Sequence, residues 1–235
     1  SWLKCREQML ELIASVPPSQ SQVYKFDFIR MLTNRAENPA DLASLEVKTW
    51  LDSLESDGEG DMLTEAKVRY LAKAGQPEQA VETMQQAIPT VADILPEEVQ
   101  RLLGAAKVLE SLELYEGAED FLKRYVKAKP DEQLELASFY GRRHQLDDAL
   151  FVCKEALDNK SYTEVATVAQ GVIRSCLAQV DIQDKHYDMV EGWLNKALEE
   201  EESRDAVRVT MAVFQDAKGP YDEAVKLYEQ LLKEK

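Results

Sequence analysis

Lys73-Ala74-Gly75-Gln76-Pro77-Glu78-Gln79-Ala80 is the stretch on which the fold turns. Upstream of it Leu63, Ala66, Tyr70 and Leu71 recur at the spacing of one helix face, and downstream Ala80, Met84, Ala87 and Ile88 do the same. Gly75 stands where a helix ends at little cost in left-handed geometry. Pro77 stands at a first helical position, where a missing N–H loses nothing. Helices joined by so short a connection run antiparallel, so the stretch predicts a helical hairpin.

The pattern recurs along the chain. Leu102, Ala105, Ala106 and Leu109 lead to a turn near Glu113 and then to Ala118, Leu122 and Tyr125, with Pro130 stopping the helix. Leu136, Ala137 and Tyr140 lead to a turn near His144 and then to Ala149, Cys153 and Ala156. A longer first helix with Val165, Val168, Val172, Ile173, Cys176 and Leu177 precedes a turn expected at Asp184 to Tyr187 and then Val190, Leu194 and Ala197. The last unit has Val207, Met211, Ala212 and Phe214, the turn Gly219-Pro220, and Tyr221, Ala224, Leu227, Tyr228 and Leu231. Small residues early in each second helix, Ala80, Ala118, Ala149, Val190 and Ala224, are 38, 31, 41 and 34 residues apart. Each has a partner twelve residues back, Val68, Ala106, Ala137, Ala178 and Ala212, so paired helices can approach closely. The residue four positions after each marker (Met84, Leu122, Cys153, Leu194, Tyr228) is expected to pack on the next unit.

Working outward, residues 1–60 read as degenerate helical repeats. Trp2 to Ala14 forms a lone helix ended by Val16-Pro17-Pro18-Ser19, as if the first half of its unit had been cut away. Tyr24 to Asn34 and Ala40 to Leu54 form one pair around Glu37-Asn38-Pro39, with Val47, Trp50, Leu51 and Leu54 inside. Residues 61–235 hold about five pairs, and the whole is expected to be one continuous domain despite the joint Ser56-Asp57-Gly58-Glu59-Gly60-Asp61. The chain opens on Ser1 with amphipathic sequence rather than a signal peptide, and reads as an excised piece.

Charge narrows the function classes. Lys plus Arg total 28 and Asp plus Glu 44, a net charge of −16. Nucleic-acid affinity comes from neutralising phosphates with Lys and Arg, so nucleic acid is not an expected partner. No window approaches the ~20 apolar residues of a membrane span, so membrane insertion is not expected either. Nine Gly and eight Pro leave little material for loop-rich or all-β architectures. Cys5, Cys153 and Cys176 are far apart, which argues against a disulfide framework and fits a reducing, cytoplasmic compartment without fixing one.

No catalytic constellation emerges. His144 and His186 both fall in expected inter-helix turns, where a solvated imidazole is the ordinary state. Cys153 and Cys176 occupy core slots, which makes them small hydrophobes rather than nucleophiles. His186-Tyr187-Asp188 lacks the spaced partners of a metal site. Glu199-Glu200-Glu201-Glu202 and Asp57-Gly58-Glu59-Gly60-Asp61 lack calcium-loop spacing and read as a solvated helix end and a charged loop. No phosphate-cradling glycine loop or zinc-protease motif occurs. Trp50, Trp193, Tyr140 and Tyr228 are placed on inner faces by their spacing. The chain is therefore expected to be no enzyme and to need no cofactor or metal.

The joints Gly75-Gln76-Pro77-Glu78-Gln79-Ala80 and Gly219-Pro220-Tyr221-Asp222-Glu223-Ala224, the first-helix string Leu136-Ala137-Ser138-Phe139-Tyr140 and the closing Pro130 resemble the tetratricopeptide repeat family, whose period is 34 residues. Most units lack that family's early Trp, and Val or Ala replaces its first-helix Gly. The resemblance implies an all-α, right-handed superhelical solenoid whose first helices line a concave groove for a peptide or partner helix. Projected onto it, Arg69, Lys73, Lys107, Arg142 and Arg143 form a basic stripe with Leu103, Leu134 and Ser138 between them. A basic stripe inside an acidic protein steers an acidic protein segment or a carboxylate terminus. The Lys and Asn clamp that some members use on a C-terminal carboxylate is absent: Glu65 with Arg69, Leu103 with Lys107 and Leu134 with Ser138 stand in its place. The expected function is a non-catalytic interaction scaffold. The alternative is a regulatory or assembly domain of a larger enzyme or secretion complex. Ends exposed by truncation would also let copies self-stack.

Overall fold

The computed structural model describes residues 2–35, 61–88, 98–200, 204–219 and 221–233. Among them there are twelve α-helices, one 3₁₀ turn and no strand, so the chain is all-α. The expected helix Ala40–Leu54, the joint at 56–60, Pro220, and Glu201 and Glu202 lie outside the described residues. No described helix is long and apolar enough to cross a membrane. The helices gather into two compact units, residues 1–121 and 122–235.

The first unit contains α1 (Trp2–Ser15), α2 (Pro18–Arg35), α3 (Asp61–Lys73), α4 (Pro77–Ala87), α5 (Val99–Ser111) and the start of α6 (Tyr115–Ala128). α1 packs on α2 and α2 on α3, around Ile13, Phe28, Ile29, Leu32, Leu63 and Ala66. α2 begins at Pro18 rather than Tyr24, because the second proline of the Pro-Pro pair opens a helix instead of ending one. The buried hydroxyl of Thr33 is satisfied by donating to Ile29 O at 2.9 Å.

The joint between α3 and α4 has the geometry its sequence predicts. Gly75 has φ +79°, Gln76 N donates to Leu71 O at 2.9 Å, and Gly75 N donates to Ala72 O at 3.2 Å. These are the two bonds of a Schellman cap. The same pair of bonds closes α5, where Leu114 N donates to Leu109 O and Glu113 N to Glu110 O, with Glu113 at φ +61°. Ala80 and Ala118, each five residues past its left-handed residue, are fully buried. At Gly117 an added Cβ would lie 3.0 Å from Val81 Cγ2 and 3.2 Å from Leu109 Cδ1, so α6 sits tightly on α4 and α5.

The second unit holds the rest of α6, the 3₁₀ turn Pro130–Glu132, α7 (Gln133–Arg142), α8 (Leu146–Ala156), α9 (Tyr162–Cys176), α10 (Asp184–Ala197), α11 (Arg204–Lys218) and α12 (Tyr221–Lys233). α7 packs on α8, α9 on α10 and α11 on α12, and each first helix also packs on the next, α7 on α9 and α9 on α11. α8 and α10 complete the array by packing on α9 and α11. His144, at φ +58°, takes the left-handed place at the end of α7, where Gln145 N donates to Tyr140 O at 2.9 Å. Ala149 follows it by five residues and is fully buried. Gly219, at φ +62°, precedes Ala224 by the same interval.

The hairpin of α9 and α10 departs from the rule. Residues 177–183 connect its helices, and α10 starts at Asp184, so the expected turn at Asp184 to Tyr187 is helical. Ala178, expected as the inner partner of Val190, lies beyond the end of α9 and is exposed. Tyr228, expected inside, is 39% exposed. Trp193 and Tyr140 are buried as expected; Trp50 lies outside the described residues.

Candidate functional site

The sequence-derived surface splits between the units. In the first, α3 contributes Arg69 and Lys73 and α5 contributes Leu103 and Lys107. Arg69 is drawn inward. Its Nε donates to Glu65 Oε1 at 2.7 Å, its Nη1 donates to Ser111 Oγ at 3.4 Å, and its side chain is only 17% exposed. It acts as a strut from α3 to α5. Lys107 is exposed one turn before Ser111, on the flank of the helix face that Arg69 reaches. Lys73 is exposed at the end of α3, and Leu103 is half-buried. Between these helices lies a largely apolar cleft of about 150 Å³, floored by Gly104, Ala105 and Val108 and edged by Thr64, Glu65 and Arg101. A Cβ on Gly104 would meet nothing within 4 Å, so this glycine leaves open space above α5.

In the second unit Leu134, Ser138 and Arg142 recur every four residues along α7 and so share one stripe of that helix. Leu134 and Ser138 are half-buried, and Arg142 is exposed. Arg143 is half-buried at the C-cap of α7.

Two groups in this unit differ from their sequence reading. His186 is buried in the first turn of α10 rather than solvated. Its Nδ1 accepts from Gln183 N–H at 3.2 Å, which leaves Nε2–H to donate to Asp147 Oδ1 at 3.0 Å. The imidazole thus pins the start of α10 to the start of α8, and its hydrogen bond, helped by Lys185, lowers the Asp147 pKa. The second group is Glu200, read as part of a solvated acidic run. Its carboxylate accepts from Thr163 Oγ1 at 2.6 Å, Tyr162 N at 2.9 Å and Thr163 N at 3.2 Å. The two amides are open N–H groups at the start of α9, a natural seat for an anion. Their bonds, Thr163 Oγ1 first, lower the Glu200 pKa. Ser161 and Glu164 close the same terminus with a capping box.

Nucleophilic chemistry is poorly served. Burial pushes the Cys153 thiol up to about 12 and raises that of Cys176, which disfavours the thiolate in both. Among the described residues no group of three or more His, Cys, Asp or Glu side chains could hold a metal ion. What the arrangement can do is present side chains on the first helices of each unit. Compared with known protein families and with curated proteins, the chain matches no family model and no curated sequence.

Proposed function

We propose that the chain is a tetratricopeptide-like scaffold, a right-handed solenoid of antiparallel helix pairs that binds protein or peptide on its first-helix surfaces and performs no chemistry itself. The observation that carries this reading is a constant interval. A left-handed residue precedes a buried alanine by five positions at Gly75 and Ala80, Glu113 and Ala118, His144 and Ala149, and Gly219 and Ala224. A repeated joint sets a repeated hairpin, and stacked hairpins present preformed side chains at little ordering cost.

Within this reading the first-helix surface of the first unit uses Lys73, Leu103 and Lys107, and that of the second unit uses Leu134, Ser138 and Arg142. Arg69, held by Glu65 and Ser111, shapes its surface rather than steering a ligand. Lys73, Lys107 and Arg142 attract an acidic segment against the chain's own net charge of −16. The test is affinity capture and peptide-array binding with the natural sequence beside a Lys73→Glu, Lys107→Glu, Arg142→Glu variant of unchanged helix content. Loss of acidic ligands from the variant is expected; identical ligand profiles would refute the surface.

A further inference from the structure

The outward side of α12 carries Tyr221, Val225, Tyr228 and Leu232, which are 69%, 51%, 39% and 75% exposed. Steps of four, three and four residues place them in one band about 60° wide at 3.6 residues per turn, the spacing of a coiled-coil seam. Among the residues whose burial is described, no other helix exposes more than one large apolar side chain.

Tyr228 holds the slot four residues after a buried marker that Met84, Leu122, Cys153 and Leu194 hold in earlier hairpins, and all four of those are buried. Within the second unit, α8 and α10, which carry Cys153 and Leu194, are covered by α9 and α11 of the following hairpin. On α12 the same slot meets solvent.

Charge selects the occupant. Exposed Asp222 and Glu229 border the band on one side, with Lys226 farther round, while the opposite side leads to α11. Antiparallel pairing of two copies through this band would set the Asp222 and Glu229 edge of one against the same edge of the other, and a net charge of −16 adds to that repulsion.

We propose that this face of α12 docks a separate amphipathic helix whose apolar seam covers Tyr221, Val225, Tyr228 and Leu232 and whose Lys or Arg flank lies along Asp222 and Glu229. It is independent of the first-helix surfaces.

The probes are two labelled helical peptides of about three heptads, both with Leu and Ile at the seam, one with Lys and the other with Glu at the flanks. Binding to the full chain is read by fluorescence anisotropy. The Lys peptide is expected to bind at least about tenfold more tightly than the Glu peptide. A Tyr221→Lys, Leu232→Lys variant should abolish binding. Phe151→Lys, on the exposed apolar residue of α8, should leave it intact, and Asp222→Lys with Glu229→Lys should reverse the peptide preference. Equal affinities, undiminished binding to the Tyr221 and Leu232 variant, or no binding at millimolar peptide overturns the proposal. So does concentration-dependent dimerisation of the chain that the same variant abolishes, which would assign the face to a second copy.

Discussion

Gly141 sits in the last turn of α7 with no room for a side chain. A Cβ there would lie 2.8 Å from Val172 Cγ2 and 3.3 Å from Val172 Cα on α9. Relaxed carbon–carbon contacts are about 3.5–4.0 Å, and one of these neighbours is backbone, so Gly141→Ala forces α7 and α9 apart. Overpacking of this kind costs about 1–3 kcal/mol, while the better helix propensity of alanine returns about 1 kcal/mol. Spreading the helices also lengthens the bonds that Ser175 Oγ and Cys176 Sγ donate to Gly141 O, now 3.0 and 3.8 Å. The expected net loss is about 1–2 kcal/mol. Gly104 and Gly171 have open space where a Cβ would go, so alanine at either should stabilise by about 0.5–1 kcal/mol through propensity alone. Urea unfolding followed by far-ultraviolet circular dichroism reads all three as shifts of the midpoint at constant slope. In a Val172→Ala background the clashing methyl is gone, and Gly141→Ala should cost less by about 1–2 kcal/mol. If Gly141→Ala raises the midpoint as Gly104→Ala does, the close approach of α7 and α9 does not limit residue 141; if it costs the same with Val172→Ala in place, the Val172 methyl is not the group that limits it.

Glu113→Gly and His144→Gly should each raise stability by about 0.5–1 kcal/mol, because the strain of a left-handed non-glycine residue outweighs the entropy that glycine adds to the unfolded chain. Gly75→Ala should lower it by about 1–2 kcal/mol, all three read as urea midpoints. Asp147 and Glu200 have lowered pKa values in the folded chain, so their contribution is complete above the unfolded values of about 3.9 and 4.3 and disappears as pH falls through the lower folded ones. The urea midpoint should therefore hold from neutrality to about pH 5 and then drop, and Glu200→Gln should lower the plateau and flatten the acid limb. His186→Ala removes the bridge from Asp147 to Gln183 N–H at about 1–2 kcal/mol, which amide exchange should report as roughly tenfold faster opening of the first turn of α10.

The hairpins were legible where local chemistry specifies local geometry. Gly75 with Pro77 announced a joint because glycine takes φ above zero freely and proline opens a helix. Glu113 and His144 adopt the same left-handed state against their own preference, so the sequence located a turn near each but not its form. Pro17-Pro18 was misleading because a helix stop and a helix start both use proline. Val190 fits the marker by size alone, and a pattern built on it puts an inter-helix turn at Asp184 to Tyr187, the first turn of α10, and an inner partner at Ala178, which is exposed. The candidate surface was legible as a set of positions, since spacing fixes which residues share a helix face. The inward turn of Arg69 depends on Ser111, 42 residues away, and the cap formed by Glu200 joins residues 37 and 38 positions apart. No periodicity encodes such pairs.

Three polar bridges act on α10 in the second unit. Its hairpin with α9 is the one in that unit whose joint lacks the left-handed residue and the alanine five residues on. His186 ties α10 to Asp147 on α8, and Glu200 ties the end of α10 to the start of α9. Glu191 on α10 accepts from Lys218 at 2.6 Å and Gln215 at 3.1 Å on α11. Where the joint is regular, short connection and small-residue packing suffice to set the angle between two helices, because a Schellman cap leaves little freedom at the turn. Residues 177–183 impose no such constraint, and apolar contact is non-directional, so burial alone would leave the register of α10 loosely specified. Directional hydrogen bonds on both ends and on the middle of α10 supply what its connection does not. These bridges, each worth about 0.5–1.5 kcal/mol, hold α10 in register with α8, α9 and α11.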